Sequence, residues 1–356
     1  MRGEMRRSRW AVLLAVLMAA ALTLSACGKK TPVGEAMQNA WAASMKMKSY
    51  TFDGSFVIDE LQLPSGDRGM ALSYFDSLRD LSVSVRGAYV RDPLRMEMIL
   101  KLKIPGDLAF TIEVPIILTA DKMYARIPDI PLLPLGDAAG RFVEFDLAEL
   151  AESTGEWLLP IDVETQRKLS VDMLNILMRH LDEEDYFREL KKDEVPGLPA
   201  DLKADRYVRF GITQDNFESF IQALVDHIAP ELIDLLLENE AYRSALMLTE
   251  DELRQAKDEL AANDPDSLRN RLEELKDSLT IHELGITGAI QGDYMVYQAF
   301  KGKIEAAENG ETTVVGFTFN IRYDNINRDV TFEHDIPSDA MSMEEFGQSL
   351  FSGFAF

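Results

Sequence analysis

The sequence predicts an α+β protein: one large antiparallel sheet, preceded by an N-terminal helix and interrupted by a helical insertion that covers one face. Apolar residues alternate at period two in an N-terminal block and again in a C-terminal block, and between about 147 and 276 the period becomes 3.6. Period two with one polar face is typical of antiparallel strands covered on one side. Strand blocks on both sides of a helical block favour the α+β class.

The first 26 residues have the three parts of a secretory signal peptide. Residues 1–9 hold four arginines against one glutamate, residues 10–24 are apolar, and the small residues Ser25 and Ala26 follow. The apolar run has 15 residues, fewer than the ~20 that a membrane-spanning helix needs. No later stretch of the chain approaches this length, so the sequence predicts no other transmembrane segment.

The end of this segment resembles the lipobox of bacterial lipoproteins. Leu24, Ser25, Ala26 and Cys27 match its order of Leu, two small residues and Cys, and Cys27 is the single cysteine of the chain. The resemblance implies that the chain is cut before Cys27 and that a diacylglycerol is attached to its thiol; an ordinary buried cysteine is the alternative. Two acyl chains hold a protein stably to a membrane. Residues 27–32 would be the lipidated tether.

The charge agrees with attachment through lipid rather than through surface electrostatics. The chain has 37 basic and 61 acidic residues, a net charge of −24. Without residues 1–26 it keeps 33 basic and 60 acidic residues, so an anionic membrane surface repels it. A nucleic-acid partner is excluded because phosphate binding needs clustered positive charge. We expect the extracytoplasmic face of a bacterial cell membrane.

The N-terminal block contains a helix and then several strands. Residues 33–48 predict a helix because apolar residues recur every four positions. Leu94, Met96, Met98, Leu100 and Leu102 then alternate with charged residues, interrupted by Ile99, and a similar run follows from 108 to 118. Pro115 in that second run indicates an edge strand or a bulge.

The rest of the chain contains the helical insertion and the returning strands. A strand at about 204–212 is expected between the helices, and strands follow on both sides of the turn signal Gly292-Asp293. Alternation from Val330 to Ile336 predicts a final strand. Residues 33–356 are therefore expected to form one domain.

This order of elements resembles the LolA/LolB/LppX superfamily of lipoprotein and lipid carriers, as found in Gram-positive surface lipoproteins. The resemblance rests on the helix-to-strand entry from Ala40 to Gly54 and on the segment from Val330 through Pro337 to Ala340. It implies an incomplete β-barrel whose inner face holds an acyl chain or an apolar lipoprotein segment. It also implies a lipid-anchored protein of the Gram-positive cell surface.

A sheet with so many strands has an apolar face that something must cover. Either the helices cover it, or it forms a groove that accepts a ligand. Seven inward positions are the groove candidates: Met96, Met98, Leu100, Phe110, Ile112, Phe317 and Phe319. If the face is fully covered, the alternative is a structural or interaction lipoprotein that contacts an envelope protein through its acidic surface.

The motif search predicts no catalytic residue, no metal site and no cofactor. Nucleophile, phosphate-loop and dinucleotide motifs are absent. His180, His227, His282 and His334 are far apart in sequence and are expected to be structural or solvated. The acidic run 182–185 is expected to start a helix or to form a solvated helix face. We therefore expect a binding protein rather than an enzyme.

Overall fold

The computed structural model describes residues 31–62, 82–104, 110–130, 135–149, 163–262, 268–308 and 311–353. Eleven strands form one antiparallel sheet that stays open, in the order β6-β5-β4-β3-β2-β1-β11-β10-β9-β8-β7. The first and last strands are neighbours in the middle, and each block extends outward from this pair. The strands are β1 Ser49–Gln62, β2 Ser82–Arg91, β3 Leu94–Ile104, β4 Phe110–Thr119, β5 Lys122–Arg126, β6 Phe142–Asp146, β7 Phe187–Leu190, β8 Arg206–Ile212, β9 Leu279–Gln291, β10 Tyr294–Glu308 and β11 Glu311–Asp324.

An N-terminal helix and a helical insertion accompany the sheet, which confirms the α+β class. The insertion also contains the short strand β7 and the strand β8, which lies where the sequence predicts it. The helices of the described residues are α1 Val33–Ser44, α2 Val163–His180, α3 Glu183–Tyr186, α4 Gln214–Ala223, α5 Ala229–Glu238, α6 Glu240–Ala245, α7 Glu250–Ala261, α8 Leu268–Ser278 and α9 Met343–Gly353, with a π-helical turn at Leu224–Ile228. The π turn comes just before Pro230, which lacks an N–H group.

One face of the sheet is apolar across nine neighbouring strands, because directly opposed residues of antiparallel strands share a face. We call it the apolar face and the other one the polar face. One row of opposed residues across the apolar face consists of Ile112, Leu102, Val83, Phe56, Phe319, Phe300, Ile286, Phe210 and Phe187.

The helices cover one end of the apolar face. Met37 and Ala40 of α1 pack with Ile176 of α2 in a core that includes Val208 of β8 and Met295 of β10. A second core joins α4, α5 and α7 to Ile212 of β8 and Ile281 of β9. The insertion therefore covers the sheet from β7 to β10. At the opposite edge, α9 packs against β6 through Phe346.

The prediction of a strand from Val330 to Ile336 is wrong. Residues 325–340, which we call the strap, leave the end of β11 and cross the polar face outside the sheet. The backbone N–H groups of Glu333 and His334 donate to the carboxylate of Glu97 on β3 instead of to a neighbouring strand. The strap is followed by Met341, whose N–H donates to Phe142 O at 2.8 Å on the outer edge of β6.

Candidate ligand-binding trough

The seven groove candidates lie together on the apolar face. Met96, Met98 and Leu100 are on β3, Phe110 and Ile112 are on β4, and Phe317 and Phe319 are on β11. The register places Ile112 opposite Leu102, and Phe319 opposite Phe56. We call this part of the face, formed by β11, β1, β2, β3 and β4, the trough.

Side chains in the trough are less buried than those under the helices. Phe110 is 36% exposed, and the other six candidates are half-buried. Under the helices, by contrast, Val208 is 0% and Ile281 is 3% exposed. The helices of the described residues pack mainly against β7–β10 and, in the case of α9, against β6. Within the described part of the chain, the trough is thus an apolar surface between two helical walls.

Aromatic rings form the floor of the trough next to the helical insertion. The ring of Phe317 lies 5.4 Å from that of Phe300 and 6.3 Å from that of Phe56. It also lies against Gly302 on the neighbouring strand, where a Cβ atom would come within 2.7 Å of it. Because Gly302 has no side chain, the ring of Phe317 can lie over β10.

Three tyrosines form one end of the trough. The rings of Tyr50 and Tyr89 stack at 5.0 Å, and Tyr323 meets Tyr50 edge-on at 5.3 Å. Burial, followed by the nearby Tyr323 and Tyr89, raises the pKa of Tyr50 to about 12, while Arg91 acts to lower it. The Tyr50 hydroxyl is therefore neutral at physiological pH and can donate a hydrogen bond.

Arg91 lies beside these tyrosines and was not among the predicted site residues. It follows Tyr89 by two positions on β2, so its side chain is on the apolar face. Its Nη2 donates to Met45 O at 2.9 Å, and its Nε is buried without a partner among the described residues. The signal was present in the sequence, because Val83, Val85, Tyr89 and Arg91 are all in phase at period two.

The polar face under the strap holds a buried carboxylate. Glu97 is 1% exposed and accepts a hydrogen bond from His334 Nδ1 at 2.7 Å in addition to the two backbone N–H groups. Arg95 donates to His334 O and lies 3.9 Å from the ring centre of Phe332. These contacts hold the strap against β3.

A cavity of about 260 Å³ lies on the same polar side. It forms beside Pro115 on β4, which lacks an N–H group. The pairing of β4 with β5 stops at the next residue, Ile116. Arg86 borders the cavity and is paired with Glu333 at 2.9 Å and with Glu113 at 3.8 Å. Arg86 is therefore paired with two carboxylates that also line the cavity.

The acidic run 182–185 starts a helix, as expected. Asp182 caps α3, its carboxylate accepting from Glu184 N at 3.1 Å. The carboxylate of Glu183 accepts from Val33 N and Gly34 N at the start of α1. Glu183 thus supplies the cap that Pro32, at the N-cap position of α1, does not provide.

His180 and His227, far apart in sequence, are stacked in the structure. Their ring centres are 5.2 Å apart, and His180 Nε2 lies 2.7 Å from Glu231. Among the described residues, no group of three His, Cys, Asp or Glu side chains could hold a metal ion. The lipobox residues Leu24, Ser25, Ala26 and Cys27 lie outside the described residues.

No helix in the described part of the chain combines the length and the apolar character needed to cross a membrane. In comparisons with known proteins, no family model matches the chain and no curated protein matches its sequence.

Proposed function

We propose that this protein is a lipid-anchored extracytoplasmic lipoprotein that binds an apolar ligand, such as an acyl chain or a lipoprotein segment, in the trough without chemical change. The observation that carries this proposal is the half-buried apolar surface of the trough, on β11, β1, β2, β3 and β4. The strap covers part of the opposite, polar face. Burying such a surface against a ligand is favourable by ~25 cal/mol per Å².

The lipid anchor rests on the lipobox pattern that ends at Cys27. Its resemblance to bacterial lipoproteins, and the order of elements similar to the LolA/LolB/LppX carriers, support a location on the outer face of the membrane, here the Gram-positive cell surface. Metabolic labelling with an alkyne-bearing palmitate tests the anchor. We expect label in the unaltered protein and none in Cys27→Ser. An unlabelled protein, or a labelled Cys27→Ser variant, would contradict the anchor.

The trough is tested by two substitutions at adjacent positions of β3. Leu100→Gln puts a polar side chain in the trough, and Lys101→Gln changes the polar face, where Lys101 pairs with Glu113 at 3.0 Å. We expect Leu100→Gln to weaken binding of the neutral dye Nile red at least tenfold, because its amide loses water without gaining a partner. Lys101→Gln should bind within twofold of the unaltered protein.

Equal dye binding by the two variants would refute the trough as the binding surface. The alternative, an interaction lipoprotein that contacts a basic envelope protein through its acidic surface, requires a covered apolar face. In the described part of the chain the trough residues are only half-buried, which favours an open face.

A further inference from the structure

Arg91 differs from the two other arginines whose Nε atoms are buried without a hydrogen bond, Arg95 and Arg322. Arg322 forms ion pairs with Asp201 and Asp324, and Arg95 contacts the strap on the polar face. Arg91 lies on the apolar face and, among the described residues, no carboxylate lies within ion-pair distance. Its Nη2 donates to the uncharged carbonyl oxygen of Met45. In a chain of net charge −24, the described residues therefore provide no counter-charge for this cation.

Such an arrangement is costly without a ligand. A buried donor that has lost water and has no partner destabilises the free protein, and an arginine guanidinium matches the geometry of carboxylates and phosphates. The rings of Tyr50 and Tyr89 lie on the same face, and Arg91 is close enough to the Tyr50 hydroxyl to act on its pKa. An anion held by Arg91 would therefore have the neutral Tyr50 hydroxyl nearby as a second donor.

The apolar part of the trough extends away from this polar end along the strands. From Leu94, which is opposite Arg91, to Ile104, β3 has eleven residues. At ~3.3 Å per residue the trough is about 33 Å long. The hydrocarbon core of a bilayer is ~30 Å thick, so the chains of one leaflet are about half as long. The trough can take a full acyl chain whose head lies at Arg91.

Building on the proposed function, we infer that the trough binds an amphiphile with an anionic head group, whose carboxylate or phosphate contacts Arg91 and whose hydrocarbon chain lies along β3 and β4. The contact with Arg91 fixes the end of the trough at which the head group lies, and the hydrocarbon chain supplies most of the apolar contact. Carboxylate and phosphate share the chemistry that Arg91 recognises.

Three probes with the same chain test the head-group preference: laurate, dodecyl phosphate and dodecanol, each below its critical micelle concentration. Their displacement of Nile red is measured with the full chain carrying Cys27→Ser, so that no anchor lipid competes. We expect at least one of the two anionic probes to bind tenfold or more tightly than dodecanol. The stronger anion distinguishes a fatty-acid head from a phosphate head.

Arg91→Gln should bring all three probes within about twofold of one another and leave dodecanol binding unchanged. Arg91→Lys should retain most of the preference, and the exposed Arg188→Gln on β7, which lies at the far edge of the sheet, should retain all of it. Circular dichroism shows whether each variant folds. If Arg91→Gln does not fold, the head-group site is tested by Arg91→Lys and by the comparison of the three probes on the parent chain.

The outcomes separate this inference from the proposed function. If dodecanol binds as tightly as the anions, or if the preference survives in Arg91→Gln, the head-group site is refuted while the apolar trough stands. If none of the probes displaces the dye, both are refuted.

Discussion

The carboxylate of Glu97 and the imidazole of His334 are hydrogen-bonded at 2.7 Å, although 237 residues separate them in the chain. Glu97 is buried on the polar face of β3, and it also accepts from two backbone N–H groups of the strap. One side chain thus binds three donors of the strap, which connects β11 in the middle of the sheet to the β6 edge.

We expect Glu97→Gln to lower the free energy of unfolding by about 1–3 kcal/mol. The glutamine amide keeps one acceptor oxygen, but its NH₂ group replaces the other. One of the N–H groups that donate to Glu97 is then left without an acceptor. Glu113→Gln is the matched control, because Glu113 is exposed and pairs with Lys101 at the surface, where such pairs contribute about 0–1 kcal/mol. Urea unfolding measures both. Equal losses in the two variants would contradict the role of Glu97.

Gly87 on β2 is a position where a side chain does not fit. A Cβ atom there would lie 1.9 Å from Glu97 O and 2.7 Å from the ring of Phe52. We expect Gly87→Ala to destabilise the protein by at least 1–3 kcal/mol through overpacking. Gly347→Ala in α9, where no atom lies within 4 Å, should be neutral or stabilising, because alanine favours a helix. A smaller midpoint shift in urea for Gly87→Ala than for Gly347→Ala would show this view to be wrong.

The contact between Glu183 and the start of α1 links the N-terminal helix to the insertion. Glu183→Ala leaves Val33 N and Gly34 N without an acceptor. We expect a loss of about 1 kcal/mol, the usual effect of removing an N-terminal cap. Glu184→Ala is the control, since Glu184 is exposed one position away. If chemical denaturation gives the same stability for both variants, the cap contributes nothing.

From the raised pKa of Tyr242 we expect a specific loss of stability at alkaline pH. Burial, together with a 2.7 Å hydrogen bond to Asp172, raises the pKa of Tyr242 to about 12 from an ordinary value of 10.0. The unfolded chain therefore loses this proton at a lower pH than the folded chain. The stability that Tyr242 contributes is complete below about pH 10 and is lost as the pH rises toward 12.

Tyr242→Phe should abolish this part of the pH dependence. Its stability at pH 8 should be lower because the hydrogen bond to Asp172 is missing, but the further loss between pH 10 and pH 12 should be smaller than in the unaltered protein. Urea unfolding across this range measures the difference, and tyrosinate absorbance follows the titration. Parallel curves for the two proteins would contradict the raised pKa.

The longer elements could be predicted from the sequence, and the short ones could not. The alternation on β3 covers eleven residues and was sufficient, whereas β5, β6 and β7 have five, five and four residues. So few positions do not separate a period of two from a loop. The seven trough candidates share one face of the sheet, because alternation determines the face of a strand. Whether they bind a ligand stays a prediction.

The segment from Val330 to Ile336 shows why pattern and structure diverge. Its alternating residues have the period of a strand, but the backbone N–H groups of Glu333 and His334 donate to Glu97. In the sequence, Glu97 stands among alternating charged residues and looks like a solvated side chain. Ile99 was the visible exception in that alternation, and it is 2% exposed on the polar face. Two neighbouring residues of β3 therefore belong to a small core under the strap.

The sequence by itself determined the α+β class, the apolar and polar faces of the long strands, the acidic charge and the lipobox pattern. These follow from local chemistry and periodicity, which depend on nearby residues only. The tertiary structure decided that β1 pairs with β11, that the helices of the insertion stop at β10, and that Arg91 meets Tyr50 at the end of the trough. Such contacts join residues far apart in the chain, and their energies depend on packing and desolvation that no local pattern encodes.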